Sequence, residues 1–117
     1  MRDYTKYKVW NDSIYLAMVI YNLTKEFPSD ERFGLISQLR RAAVSIPSNI
    51  AEGCSRSSEK DFNRYLEISI GSSFEVKTQL IIAQKLNFGD QIKLNKALEL
   101  VDSISKQINA LRNKVKG

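Results

Sequence analysis

The sequence predicts an all-α protein, an antiparallel up-down-up-down four-helix bundle. Three observations predict it. Apolar residues recur at steps of three and four along four segments, and nowhere is there sustained period-two alternation. Only 2 prolines and a few polar corners interrupt 117 residues, which we read as one domain spanning 1–117. The corners are too short for a long crossover, so successive helices turn back on one another.

The first helix is expected from about Lys8 to Glu26, with Trp10, Ile14, Ala17, Tyr21 and Thr24 on its inner face. Phe27-Pro28-Ser29-Asp30 ends it. The second is expected from about Asp30 to Glu52. Ser29 is its N-cap, with Asp30 and Glu31 in the first turn, where the helix dipole favours negative charge. Phe33, Ile36, Leu39, Ala43, Ile46 and Ile50 step along one face of this helix. Pro47 lies inside it, so the second helix should be kinked between Ala43 and Pro47. Gly53 reads as its C-cap.

The third helix is expected from about Ser58 to Leu86, capped by Ser57 or Ser58, with Phe62, Leu66, Ser69, Ser73, Val76, Leu80 and Ala83 inward. Small residues cluster at its middle (Ser69, Gly71, Ser72, Ser73) and would let another helix approach closely. Asn87-Phe88-Gly89 is a corner and Asp90 the next N-cap. The fourth helix, from about Gln91 to Lys114, carries Leu94, Ala97, Leu98, Val101, Ile104, Ile108, Leu111 and Val115 on a nearly heptad stripe. Tyr15, Ile20, Leu35, Ile68, Ile70, Ile82 and Leu100 lie off these stripes. They imply a second apolar surface, and we read it as a self-association face ahead of scattered surface apolars.

Composition narrows the chemistry. There is no histidine and 1 cysteine, which excludes an intramolecular disulfide, a Cys/His metal cage and a Ser-His or Cys-His nucleophile pair. The di-iron use of four-helix bundles needs Glu-x-x-His pairs and is excluded too. Glu52, Glu67 and Glu75 are oxygen donors without a metal motif, Cys54 has no identifiable partner base, and there is no P-loop. The expectation is a protein that is not an enzyme, with no cofactor and no metal. No signal peptide is read at the N-terminus. The longest apolar stretch, Ile14 to Leu23, is well short of the roughly 20 residues a membrane span needs. A cytoplasmic chain without a membrane partner is expected.

The formal net charge is +5 and the pI about 9.4. In the expected topology both termini and the second corner share one end of the bundle. That end collects Arg2, Lys6, Lys8, Arg56, Lys60, Arg64, Arg112, Lys114 and Lys116 against few acids. Glu26, Asp30, Glu31 and Asp90 collect at the other. The basic pole is the candidate site for RNA or DNA phosphates. Ser55, Ser57, Ser58 and the start of the third helix are phosphate ligands or plain caps. Tyr4, Tyr7 and Trp10 are base-stacking groups or core. Of Arg40 and Arg41, about 100° apart on a helix, one faces solvent and the other a neighbouring helix or subunit. A structural ion pair of Arg41 with Glu52 or Glu75 is the preferred reading.

The segment from Phe33 to Gly53, FGLISQLRRAAVSIPSNIAEG, strongly resembles the four-helix-bundle proteins encoded in intervening sequences of bacterial 23S rRNA genes. That family also includes the accessory variability determinant of diversity-generating retroelements. The resemblance covers nearly the whole chain, through Trp10, the Tyr21 to Pro28 exit, Phe62 to Glu75 with Gly71-Ser72, and Asn87-Phe88-Gly89. Pro47 is part of its pattern. It implies a homo-oligomer, a pentameric ring with a basic surface, and for the retroelement members binding to nucleic acid and a reverse transcriptase. It implies no catalytic residue. Arg40, Arg41, Asn49 and Glu52 occupy the motif's polar positions, where they serve the fold, the ring or a ligand.

Overall fold

The computed structural model describes residues 2–115. Among the described residues there are four α-helices: α1 (Lys8–Thr24), α2 (Leu35–Cys54), α3 (Glu59–Lys85) and α4 (Gln91–Lys114). Short 3₁₀ turns at Tyr4–Lys6 and Ser29–Glu31 precede α1 and α2. No strand occurs among the described residues. Each helix packs on its two neighbours, α1 on α2 and α4, α3 on α2 and α4, while the diagonal pairs stay apart. Cross-helix pairs run in opposite directions. Ser45 meets Ser72 while Arg56 meets Tyr65, Ser73 meets Ser105 while Gln84 meets Asn95, and Asp12 meets Gln107 while Glu26 meets Lys93. The bundle measures 43 × 23 × 20 Å.

One core fills the centre: Leu16, Ile20 and Leu23 of α1, Leu39, Ala43, Ile46 and Ile50 of α2, Phe62, Leu66, Val76, Leu80 and Ala83 of α3, and Leu94, Ala97, Val101, Ile104 and Ile108 of α4. The expected stripe of α3 is buried here, and so is that of α4 except Leu98, Leu111 and Val115, which pack half-buried against the core's edge. That of α1 is turned: Val9, Ser13, Leu16, Ile20 and Leu23 face inward, whereas Ile14 and Tyr21 are exposed. Ile14 to Tyr21 is apolar on every side, so its periodicity has no unique phase. Ile20 therefore belongs to the core and Leu35, Ile70 and Leu100 are half-buried against it, so that of the expected second surface only Tyr15, Ile68 and Ile82 are exposed.

Helix α2 starts at Leu35, later than Asp30, because the 3₁₀ turn and Gly34 intervene. Phe33 consequently lies outside the helix and is 89% exposed. Ser29 does not cap it. The Glu31 carboxylate accepts from Leu35 N at 3.1 Å. The helix is continuous through Pro47, whose missing N–H removes a donor for the Ala43 carbonyl. Polar side chains gather at this turn. Asn49 Nδ2 donates to the Ser45 carbonyl at 2.8 Å, the Ser45 and Ser72 hydroxyls pair at 2.8 Å, and Ser69 Oγ donates to the Ile46 carbonyl at 2.9 Å. The small residues of α3 thus form a hydrogen-bonded seam.

Gly53 is not a C-cap but lies inside α2, which ends at Cys54. A Cβ there would sit 2.9 Å from Tyr65 Cβ and 3.0 Å from Phe62 Cδ1, so glycine permits the close approach of α2 and α3. Ser58 caps α3 by accepting from Asp61 N. Asp90 caps α4 by accepting from Ile92 N and Lys93 N. Asn87, at φ 58°, closes α3 in a Schellman motif, with Phe88 N donating to Ala83 O and Asn87 N to Gln84 O.

Candidate nucleic-acid interface

The basic end is built where the start of α1, the α2–α3 corner and the end of α4 meet. The N-terminal segment folds back over the corner. Asp3 accepts from Thr5 N at 3.0 Å, fixing the first 3₁₀ turn. The Arg2 guanidinium lies 4.1 Å from the centre of the Phe62 ring, and the Tyr7 ring stacks on Phe62 at 6.5 Å. Burial raises the Tyr7 hydroxyl's pKa above its ordinary value. Cys54 lies beneath this segment, 1% exposed, and burial pushes its thiol pKa up as well. It is a packed core residue rather than a reactive thiol.

The candidate cations fall into two groups. Some are already engaged. Lys8 pairs with Asp12 at 2.7 Å, and Arg56 pairs with Glu52 at 2.8 Å while also donating to Tyr65 Oη at 2.9 Å. Arg2 is spread over Phe62, and Arg112 donates to Asn109 Oδ1 at 3.1 Å. Lys6, Lys60, Arg64 and Lys114 are exposed and have no ion pair among the described residues. Lys60 and Arg64 stand one helical turn apart and share a shallow groove with Asp61, Asn63 and Glu67. A second groove beside it is lined by Arg56, Asp61, Arg64, Tyr65 and Ile68. Lys116 lies outside the described residues.

Two expectations about this end need correction. It is less purely basic than the topology suggested, because Asp3, Asp12, Glu52, Glu59, Asp61 and Glu67 share it. The start of α3 is also no vacant anion site. Ser58 is spent on the cap, Ser55 Oγ donates to the Glu52 carbonyl, and Glu59 and Asp61 occupy the first turn. Tyr7 is committed to Phe62, whereas Tyr4 and Trp10, with ring centres 5.0 Å apart, form a partly exposed pair over Pro47, Ser48 and Ala51.

At the other end Glu26, Glu31 and Asp90 are structural, while Asp30 is exposed. Glu26 binds Lys93 and accepts from Asp90 N, Glu31 caps α2 and Asp90 caps α4. Lys25, Arg32 and Lys85 stand among them, so no acidic pole forms.

Of the motif's polar positions, Arg40 Nε donates to Thr24 Oγ1 at 2.9 Å, and its guanidinium lies over the Tyr21 ring, tying α2 to α1. Asn49 braces the Pro47 turn. Arg41 is exposed and pairs with neither Glu52 nor Glu75. Glu52 takes Arg56 instead, a partner one turn away that the i, i+4 spacing signals. Among the described residues, no group of three or more Cys, Asp or Glu side chains comes together as a metal site. None of the helices is long and apolar enough to cross a membrane.

Asp12 gives this end a pH signature. The hydrogen bond from Gln107, then that from Lys8, holds its carboxyl below the usual carboxylate range. The folded-state pKa is depressed, so its stabilisation is present above the unfolded value of about 3.9 and is lost as pH falls through the folded one. The stability gap between the wild type and Asp12→Asn should therefore narrow between neutral pH and about pH 3, as read by urea denaturation.

A family model described as 23S rRNA-intervening sequence protein matches residues 5–110. Among solved structures, the chain is similar to a protein of unknown function from the S23 ribosomal protein family of Bacteroides thetaiotaomicron VPI-5482. The two are 23% identical with a TM-score of 0.82, over 90% of this chain and 95% of that one. No curated protein matches the chain.

Proposed function

The chain belongs to the 23S rRNA-intervening sequence protein family, and from that premise we propose that it is a non-enzymatic nucleic-acid-binding protein that works as an assembly of identical copies. One observation carries the reading: Lys6, Lys60, Arg64 and Lys114 share one end of the bundle and are not neutralised by an ion pair among the described residues. Unpaired, exposed cations release counterions when they meet phosphates, and they read little of the base sequence. Arg56 and Lys8, already held by carboxylates, contribute less. Arg2 acts mainly by holding the N-terminal segment on Phe62, and Arg112 is engaged with Asn109 of its own helix.

Fluorescence anisotropy on labelled single-stranded RNA and duplex DNA tests this. Lys60→Ala/Arg64→Ala should lower the slope of log affinity against log salt by about 1.5. Lys8→Ala should change it less. An unchanged slope in the double variant would place the binding surface elsewhere.

A second reading is a scaffold that presents its helices to a protein partner such as a reverse transcriptase. It draws on the apolar residues exposed on α1 and α3. Such a complex would survive nuclease treatment and neutralisation of the basic end.

A further inference from the structure

The outward face of α1 is unexplained within one chain. Ile14 to Tyr21 is apolar without a break, and a helix that is apolar all round is ordinarily buried all round. Here only one side is. Leu16 and Ile20 are enclosed, while Tyr15 is 60% and Met18 65% exposed, flanked by exposed Ile14 and Tyr21. Beside them a groove of about 450 Å³ runs between α1 and α4, lined by Tyr15, Met18, Val19 and Leu100, with Lys93 and Lys96 at its edge.

On the diagonally opposite helix, α3 exposes Ile68, Phe74 and Ile82 around Gly71. A Cβ at Gly71 would meet nothing within 4 Å. Glycine weakens a helix interior, and no neighbour in the chain requires it here. Bare backbone in the middle of an apolar outward face is what close approach of a second helix needs. Glu67 and Glu75 flank Gly71 on this side without an ion pair among the described residues, and the cations of the same side, Arg64 and Lys85, stand further out toward the two ends of the helix. The α1 face is edged by cations instead, Lys93 and Lys96 on the α4 side and Arg40 on the α2 side.

We propose that the outward face of α1, with its α4 groove, receives the outward face of α3 from a second copy of this chain. The inference rests on the self-assembly proposed above and adds the surfaces that carry it. Charge selects the pairing. Packing α1 against α1 would bring Lys96 and Arg40 against their own copies, whereas α3 brings Glu67 and Glu75 to them. The two faces lie on opposite sides of the bundle, so each copy keeps one face open after binding the next. The contact is heterologous and therefore repeats from copy to copy.

Light scattering on Met18→Glu and Gly71→Gln, both at exposed positions, tests the proposal, with circular dichroism to verify that each variant is folded. The wild type should be larger than a dimer and each variant alone monomeric. An equimolar mixture should form a one-to-one dimer, because each variant retains the face the other lacks. Wild-type-sized assemblies of both variants would overturn this interface and leave self-assembly standing. A dimeric Gly71→Gln beside a monomeric Met18→Glu would replace it with α1–α1 pairing. A monomeric wild type that still binds RNA would overturn both interface and assembly, and spare only the polyanion reading.

Discussion

Phe62→Ala should cost about 3–5 kcal/mol, the range for truncating a large aromatic in a close-packed core. Phe62 is fully buried, and its ring is the platform on which Tyr7 stacks and Arg2 lies. It also faces Gly53 across the α2–α3 contact. The variant should therefore lose stability and loosen the N-terminal segment together. A urea titration monitored at Trp10 would show both, as a lower midpoint and an earlier change in fluorescence. A loss below about 1 kcal/mol would mean that the site collapses around the smaller side chain, and that the segment is anchored elsewhere.

Gly53→Ala and Gly71→Ala should move stability in opposite directions. The new methyl at position 53 meets Tyr65 Cβ and Phe62 at or below 3.0 Å, and neither can withdraw without moving α3. Overpacking of this kind costs about 1–3 kcal/mol, outweighing the helix-propensity gain of up to about 1 kcal/mol. The methyl at position 71 meets nothing, so the propensity gain stands alone. Both should be measured in the Met18→Glu background, so that assembly does not mask the helix effect. Equal signs would show that the close approach of α2 and α3 at Gly53 is not tight.

The features legible in the sequence are those set by local chemistry or by an unambiguous stripe. Asp90 and Ser58 cap their helices because each offers a side-chain oxygen just ahead of the first turn. The inner faces of α3 and α4 keep one phase along their length despite off-stripe apolar residues such as Ile68, Ile82 and Leu100, and so does most of α2. The inner face of α1 was not legible, since an apolar run on all sides has no preferred phase. The start of α2 differs from the expectation because Gly34 and the forward reach of the Glu31 carboxylate to Leu35 N override Ser29. Gly53 reads as a cap until the distance to Phe62 and Tyr65 is known, a tertiary fact without a local signature.

At the candidate site, the sequence places the candidate cations toward one end of the bundle but does not give their partners. The i, i+4 spacing of Glu52 and Arg56 signals their pairing, but Arg64 stands three residues from both Asp61 and Glu67 without an ion pair, so spacing does not by itself separate the free cations. The stacking of Arg2 and Tyr7 on Phe62 was not legible, because it joins residues far apart in the chain. The structure therefore shifts weight from Arg56, Lys8 and Arg2 toward Lys6, Lys60, Arg64 and Lys114.

The salt dependence of nucleic-acid affinity for the unmodified protein tests the central claim most directly. With single-stranded RNA and duplex DNA titrated from about 50 to 200 mM salt, affinity should fall steeply along a straight log–log line, with little difference between base sequences. Tight binding that salt does not weaken, or no binding at the lowest salt, would contradict a function built on this basic end.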